Sequence, residues 1–147
     1  TPKQDGSTAQ APDIRDDAVA DSLFSATGDA LGKKTRLDNY DTNRQGGVIA
    51  IRLNDEDEVV SALLVNAEDD ILLISRKGMS VRFQASDEAL RPMGRATAGV
   101  KGMKFREGDS LLSASLAAPG KFVFVVTDGG YAKRTAVEEY RVPGRGG

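Results

Sequence analysis

ILLISRKGMSVRFQASDEALRPMGRATAGVKGMKFREGDSLLSASL, from Ile71 to Leu116, is the clearest pattern of strands and turns in this sequence. It opens on an apolar run, turns at Arg76-Lys77-Gly78 and returns along the alternating segment Met79 to Phe83. An acidic turn at Glu107-Gly108-Asp109 leads into a further strand-like segment. Short apolar or alternating runs separated by glycine-containing turns are typical of antiparallel strands. The pattern therefore predicts one blade-like unit of short β-strands.

Weaker copies of this unit occur on both sides of it. Residues 27–35, 75–83 and 127–135 align without gaps at offsets of 48 and 52. Positions between Val48 and Ser61 also match positions between Val100 and Ser113 at an offset of 52. Repeats of about 50 residues with four short strands each are typical of propeller-type blades. The sequence predicts an all-β fold of propeller-like blades of four antiparallel strands, with two to three blades present.

Turn residues recur roughly every ten positions, and helical spacing is poorly supported. The repeats predict blades that start near residues 23, 71 and 122, after a polar, weakly patterned segment at residues 1–22. The strands predicted in these blades include Leu23–Thr27, Leu31–Leu37, Val48–Leu53, Val59–Val65, Ile71–Ile74, Met79–Phe83, Phe122–Thr127 and Tyr131–Thr135.

The composition of the 147 residues narrows the available chemistry. Because cysteine and histidine are both absent, disulfides, the usual zinc ligands and the commonest general base are removed. We therefore predict no catalytic residue, no metal site and no cofactor. No apolar run approaches the length of a membrane span, and the polar N-terminus lacks the apolar stretch of a signal peptide. These features predict a cytoplasmic protein without a membrane partner.

Charge is distributed unevenly along the chain, although its net value is only −2. Between Arg76 and Arg106 there are eight cations and two acids, a local charge of +6. Between Asn54 and Asp70 there are seven acids and no cation, a local charge of −7. A polyanion would therefore meet a local positive stripe and not a uniformly basic protein.

Cations recur at equivalent places in the repeats. Lys34, Arg82 and Arg134 occupy the same position on the return strand of each copy. Because successive residues of a strand face opposite sides, we expect the apolar neighbours to point into the blade and the cation to point outward. Such residues could form an ordinary solvated face. Their recurrence favours a positive ridge that follows a bent duplex through phosphate contacts.

Loops rich in glycine and arginine accompany these strands at residues 43–47, 94–99 and 144–147. Glycine lets a backbone approach a ligand closely, and an adjacent arginine can make a forked contact with a phosphate. With three Tyr, five Phe and no Trp, a stacking surface for single strands is not expected. The candidate DNA-binding residues are Lys33, Lys34, Arg44, Arg76, Lys77, Arg82, Arg95, Lys101, Lys133, Arg134 and Arg145.

Four segments carry a family resemblance: Lys33–Leu37, Asp41–Gly47, Asp87–Thr97 and Gly129–Thr135. They resemble the C-terminal domain of the gyrase A protein, the DNA-wrapping β-pinwheel of a type IIA topoisomerase, and the likeness is strong from residue 31 to residue 147. The family's Q-R-R-G-G-K-G box is not present, and this chain covers fewer than the family's roughly six blades.

The resemblance implies sequence-tolerant binding and wrapping of duplex DNA by a domain that makes and breaks no bond itself. It implies a part of gyrase A that supports supercoiling in the cytoplasm at the bacterial nucleoid, whose partners are the rest of gyrase A and the gyrase B subunit. The corresponding C-terminal domain of topoisomerase IV is the alternative within the family. A protein-interaction module that docks through the acidic segment Asp55 to Asp70 is the alternative outside it.

Overall fold

The computed structural model describes residues 20–142, so the predictions for residues 1–19 and for Arg145 lie outside the described residues. Within that range the chain forms nine β-strands and two short 3-10 segments, without an α-helix. The strands are β1 Ser22–Thr27, β2 Leu31–Arg36, β3 Val59–Val65, β4 Asp70–Ser75, β5 Ser80–Gln84, β6 Val100–Lys101, β7 Leu111–Leu116, β8 Phe122–Val126 and β9 Ala132–Ala136.

These strands form three antiparallel sheets, each built on one hairpin. The first has the order β3-β1-β2-β6, the second β5-β4-β7, and the third contains β8 and β9. We call residues 22–65, 70–116 and 122–142 the first, second and third repeats. The prediction of an all-β fold made of repeated hairpins is confirmed.

The first two repeats share the hydrogen bond that fixes the tip of the hairpin. Oδ1 of Asp57 accepts a hydrogen bond from the backbone amide of Asp29 at 3.1 Å. Oδ1 of Asp109, the equivalent residue, accepts one from the amide of Lys77 at 3.0 Å. In each repeat an acidic turn therefore fixes the tip of the neighbouring hairpin, because the carboxylate satisfies an amide that the hairpin leaves unpaired.

One connection of the second repeat crosses onto the first. Its short strand β6 pairs with Leu31 and Gly32 at the outer edge of β2. The equivalent segment of the first repeat, Val48–Leu53, does not form the strand predicted for it, and no strand of residues 20–142 pairs with it. Alternating residues make a segment extended, but a strand also needs a neighbouring edge to which its amides and carbonyls can bond.

The main core lies between the sheets of the first and second repeats. Phe24 and Phe83 are fully buried and meet edge to face, with ring centroids 6.2 Å apart. Full burial of each such side chain contributes roughly 1.5–3 kcal/mol. On β4, Leu73 faces this core, whereas its neighbour Leu72 packs in a second cluster with Val137 of the third repeat. The second repeat is therefore covered on both faces.

Candidate nucleic-acid interface

The recurrent strand cations of the first two repeats point between repeats and not into solvent. Lys34 in β2 is buried, and its Nζ donates to the carbonyl oxygen of Ala85 at 2.5 Å and to Oδ1 of Asp87 at 2.7 Å. Arg82 in β5 has a side chain only 12% exposed and pairs with the carboxylate of Asp70 at 2.8 Å. The outward orientation predicted for these two side chains is wrong.

Both cations make the same link to the following repeat. Nη1 of Arg82 donates at 2.8 Å to the carbonyl oxygen of Val137, which stands in the third repeat where Ala85 stands in the second. Each side chain thus reaches from a return strand to the backbone just after the next return strand. The face opposite the apolar side chains is not a solvent face, because the next repeat covers it.

Arg134, the third member of this series, is arranged differently. It is exposed, and its guanidinium carbon lies 4.5 Å from the ring centroid of Phe122. Lys133 beside it is also exposed. A cation–π contact at an exposed site is worth about 0.5–1 kcal/mol, so it holds the side chain only loosely. Among the three strand cations, Arg134 is the one that remains accessible to a ligand.

The pairing of Lys34 with Asp87 predicts how this carboxyl titrates. The hydrogen bond from Lys34, and then its positive charge, lower the pKa of Asp87 below the ordinary value of 3.8. A carboxyl with a lowered pKa in the folded chain stabilises the fold above its unfolded pKa, and that contribution is lost as the pH falls through the folded pKa. In Lys34→Met we expect the midpoint of Asp87, followed by carboxyl NMR shifts, to rise toward 3.8.

Glu138 provides an internal control for this titration. A hydrogen bond from the backbone amide of Gly120, 2.7 Å long, lowers the pKa of Glu138 without involving Lys34. The titration midpoint of Glu138 should be the same in the unchanged protein and in Lys34→Met. An Asp87 midpoint that does not move in the variant would contradict the pairing.

Lys33 is a predicted phosphate contact, but the structure buries it completely. Its Nζ donates to the carbonyl oxygens of Ala50 and Arg95, each at 2.6 Å, and to those of Thr97 at 3.2 Å and Gly94 at 3.4 Å. Burial, followed by the nearby charge of Arg95, lowers the pKa of Lys33. The side chain therefore ties two loops together through their backbones, and its burial leaves no surface for the phosphate contact predicted at this position.

These two loops border a cleft between the first and second repeats. The cleft has a volume of about 500 Å³, and its lining includes Arg44, Ile49, Arg95 and Thr97 but no acidic side chain. Arg44 is exposed. Arg95 is half-buried, and its Nη1 donates to the carbonyl oxygen of Ile49 at 3.2 Å. The structure thus brings together two predicted arginines that lie in different repeats.

The connection that carries β6 is uniformly positive. From residue 89 to residue 106 there are five cations and no acid. Lys101, one of the predicted residues, is exposed on β6. Arg91, Lys104 and Arg106 are exposed as well and are absent from the predicted set, although the local charge count already indicated them.

Arg76 and Lys77 lie at a different place, the tip of the second hairpin. Both are exposed. Nζ of Lys77 donates to the carbonyl oxygen of Glu107 at 2.5 Å, so this ammonium group is partly engaged by the acidic turn. The predicted cations therefore fall into three groups: buried links between repeats, a cleft with its adjoining positive connection, and exposed hairpin positions.

Metal-binding side chains do not cluster in residues 20–142. No three of them lie close enough together there to hold an ion. The same residues contain no helix with the length and apolar character needed to cross a bilayer. The acidic residue Asp57 serves the fold, since its Oδ1 accepts hydrogen bonds from the amides of Asp29 and Glu58.

The three repeats coincide with the units of a known family. The model of the family described as "DNA gyrase C-terminal domain, beta-propeller" matches residues 21–66, 69–118 and 121–147. The chain belongs to this family. The predicted resemblance and the predicted propeller-like fold class are both confirmed by this match.

Individual members of the gyrase C-terminal domain family are close in sequence. The DNA gyrase A protein of Streptomyces coelicolor is 59% identical over 148 residues, which cover 97% of this chain and 17% of that protein. The DNA gyrase A protein of Mycobacterium tuberculosis strain CDC 1551 is 54% identical over 139 residues, which cover 95% of this chain and 17% of that protein. The chain thus spans about a sixth of the length of these curated relatives.

Solved structures show the same fold. The C-terminal domain of DNA topoisomerase IV superimposes with a TM-score of 0.79 at 27% identity, covering 90% of this chain and 41% of that one. The DNA gyrase A C-terminal domain superimposes with a TM-score of 0.74 at 29% identity, covering 90% of this chain and 43% of that one. The fold alone does not separate gyrase from topoisomerase IV. The two curated relatives named above are gyrase A proteins.

Proposed function

We propose that this chain binds and wraps duplex DNA without reading its sequence, and that it catalyses no reaction by itself. The observation that carries the proposal is the connection at residues 89–106, which has five cations and no acid and lies along the outer edge of β2. The cleft with Arg44 and Arg95 adjoins this connection. Lysine and arginine arranged in this way neutralise phosphates and release counterions, which supplies affinity that is independent of base sequence.

The buried cations have a supporting part in this mechanism. Lys34 and Arg82 join each repeat to the next, and Lys33 holds the loops beside the cleft. Rigid joints keep the exposed cations at fixed spacing, which lets successive contacts follow one bent path. Smooth bending of a duplex over a few helical turns costs on the order of 1–6 kcal/mol, and the added phosphate contacts offset that cost.

The wider setting of the proposal is a gyrase A protein. The named relatives are gyrase A proteins, and the chain corresponds to 17% of their length. We infer that its partners are double-stranded DNA, the rest of gyrase A and the gyrase B subunit. In this setting the domain supports supercoiling in the cytoplasm, at the bacterial nucleoid, while cleavage of DNA takes place elsewhere in the enzyme.

The proposal predicts a steep dependence of DNA binding on salt. Binding of a linear duplex of several tens of base pairs is measured by electrophoretic shift over a salt series. Each phosphate contact contributes about 0.9 to the slope of log affinity against log salt, so Lys104→Gln with Arg106→Gln is expected to reduce the slope by about 1.8. Changing the base sequence of the duplex should alter the affinity little.

A charge-matched variant controls for the general loss of positive charge. Lys121 and Arg141 are also exposed but lie outside the positive connection. Their double replacement by glutamine should leave the slope close to that of the unchanged protein. Equal effects of the two double variants on the slope would contradict the assignment of the phosphate contacts to residues 89–106. Absence of duplex binding at low salt would overturn the proposal and favour the protein-interaction module.

A further inference from the structure

The cleft between the first two repeats has the chemistry of an anion site. Arg44 and Arg95 both line it, Asn39 and Thr97 add neutral polar groups, and its lining contains no carboxylate. Guanidinium groups recognise phosphate oxygens through forked, charge-assisted hydrogen bonds. A volume of about 500 Å³ lies within the range of ligand-binding clefts in proteins, so the site can hold a phosphodiester with part of its sugar.

Several bonds fix the distance between the two walls of this cleft. Lys33 binds the carbonyl oxygen of Ala50 on one wall and those of Arg95 and Thr97 on the other. The amide of Arg52 donates to the carbonyl oxygen of Thr97 at 3.0 Å. Nη1 of Arg95 also crosses between the walls to the carbonyl oxygen of Ile49. The shape of the cleft is therefore fixed by hydrogen bonds between the two repeats, and the cleft is not a gap between independent loops.

Lys33 is the centre of this arrangement, although it cannot touch a ligand. It is fully buried, and its ammonium group is surrounded by backbone carbonyls from residues far apart in the chain. Removing the ammonium group would leave the carbonyl oxygen of Arg95 without this donor, whereas the carbonyl oxygen of Thr97 would keep its bond from the amide of Arg52. The two loops would then lose the bonds of Lys33, which join the backbone of Arg95 to the first repeat.

We propose that this cleft holds one backbone phosphate of a bound duplex between Arg44 and Arg95, and that Lys33 is the residue that positions them. The inference rests on the proposed DNA binding and goes beyond it, since it names one contact and the device that shapes it. A duplex phosphate is the expected occupant because the cleft opens beside the acid-free connection at residues 89–106, which would carry the neighbouring phosphates.

The test compares four variants of the full-length protein, by fluorescence anisotropy with a labelled linear duplex over a salt series. Arg44→Gln and Arg95→Gln are each expected to lower the salt slope, by about 0.9 at most, because both side chains hold the same phosphate. Lys33→Met should lower it similarly, although Lys33 touches no phosphate. The control, Lys104→Gln, should lower the slope by about 0.9 through a contact outside the cleft.

A double-mutant cycle separates positioning from direct contact. If Lys33 positions Arg95, then adding Arg95→Gln to Lys33→Met should change the slope much less than it does in the unchanged protein. Adding Lys104→Gln should keep its full effect, which shows that the Lys33 variant is folded. Fully additive effects of Lys33→Met and Arg95→Gln would overturn the positioning role.

Two further results decide the remaining parts of the inference. If Arg44→Gln and Arg95→Gln leave the slope unchanged while the unchanged protein binds DNA, the phosphate site is overturned and the proposed function stands. If the unchanged protein does not bind the duplex, the phosphate site and the proposed function fail together.

A competition experiment compares inorganic phosphate with chloride at equal ionic strength. Equal competition by the two anions supports a site for the duplex backbone. Strong selective competition by phosphate indicates a site for a free anion and overturns the proposed site for a duplex phosphate.

Discussion

Replacing Gly99 with alanine is expected to lower the free energy of unfolding by about 3–5 kcal/mol, because two separate costs add at this position. Gly99 has φ +94°, where a residue with a Cβ is strained by about 1–2 kcal/mol. An added Cβ would also lie 2.6 Å from the carbonyl oxygen of Gly32. That oxygen belongs to the backbone of β2, which β6 pairs with at this point, so it cannot easily move.

Gly47 supplies the matched control because it is the equivalent residue of the first repeat. Its φ is +80°, yet an added Cβ would meet no atom within 4 Å. Gly47→Ala should therefore cost only the conformational strain, about 1–2 kcal/mol. Urea unfolding followed by circular dichroism gives both values, and their difference measures the contact with β2. Equal losses would show that the connection at residues 94–99 does not pack against the first repeat.

Most of the fold could be predicted from the sequence because hairpins leave local signals. The glycine turns at residues 76–78 and 128–130 and the alternation of Val81 and Phe83 with polar residues correspond to the observed hairpins. The segment Val48–Leu53 shows the limit of such signals. It alternates like its counterpart at residues 100–105, but a strand depends on a partner edge, and the identity of that edge is a property of the assembled fold.

The candidate site was only partly predictable, for a related reason. Strand periodicity assigns Arg82 to the face opposite Val81, but it does not say whether that face meets water or another repeat. In the second repeat the face that carries Arg82 meets the third repeat. Leu72 on the neighbouring strand is buried as a result. The regional charge of residues 76–106 was the more reliable signal of which cations are exposed. Long connections run over the surface and are the usual place for exposed cations.

Arg82→Met is expected to destabilise the chain by about 3 kcal/mol, whereas the equivalent change Arg134→Met should cost less than about 1 kcal/mol. Arg82 holds the carboxylate of Asp70, whose side chain is only 19% exposed, together with the carbonyl oxygens of Val137 and Tyr140. Methionine keeps much of the apolar stem but leaves this carboxylate without its partner. Arg134 would lose only its contact with the Phe122 ring.

A second substitution tests whether the unpaired carboxylate causes the loss. Removing one partner of a buried ion pair costs more than replacing both partners by apolar groups. Adding Asp70→Leu to Arg82→Met should therefore restore part of the stability in urea unfolding, and not subtract further from it. The recovery should be incomplete, because the carbonyl oxygens of Val137 and Tyr140 still lack the donor that joins the second repeat to the third. Equal losses for Arg82→Met and Arg134→Met would instead mean that both side chains face solvent, as strand alternation alone predicts.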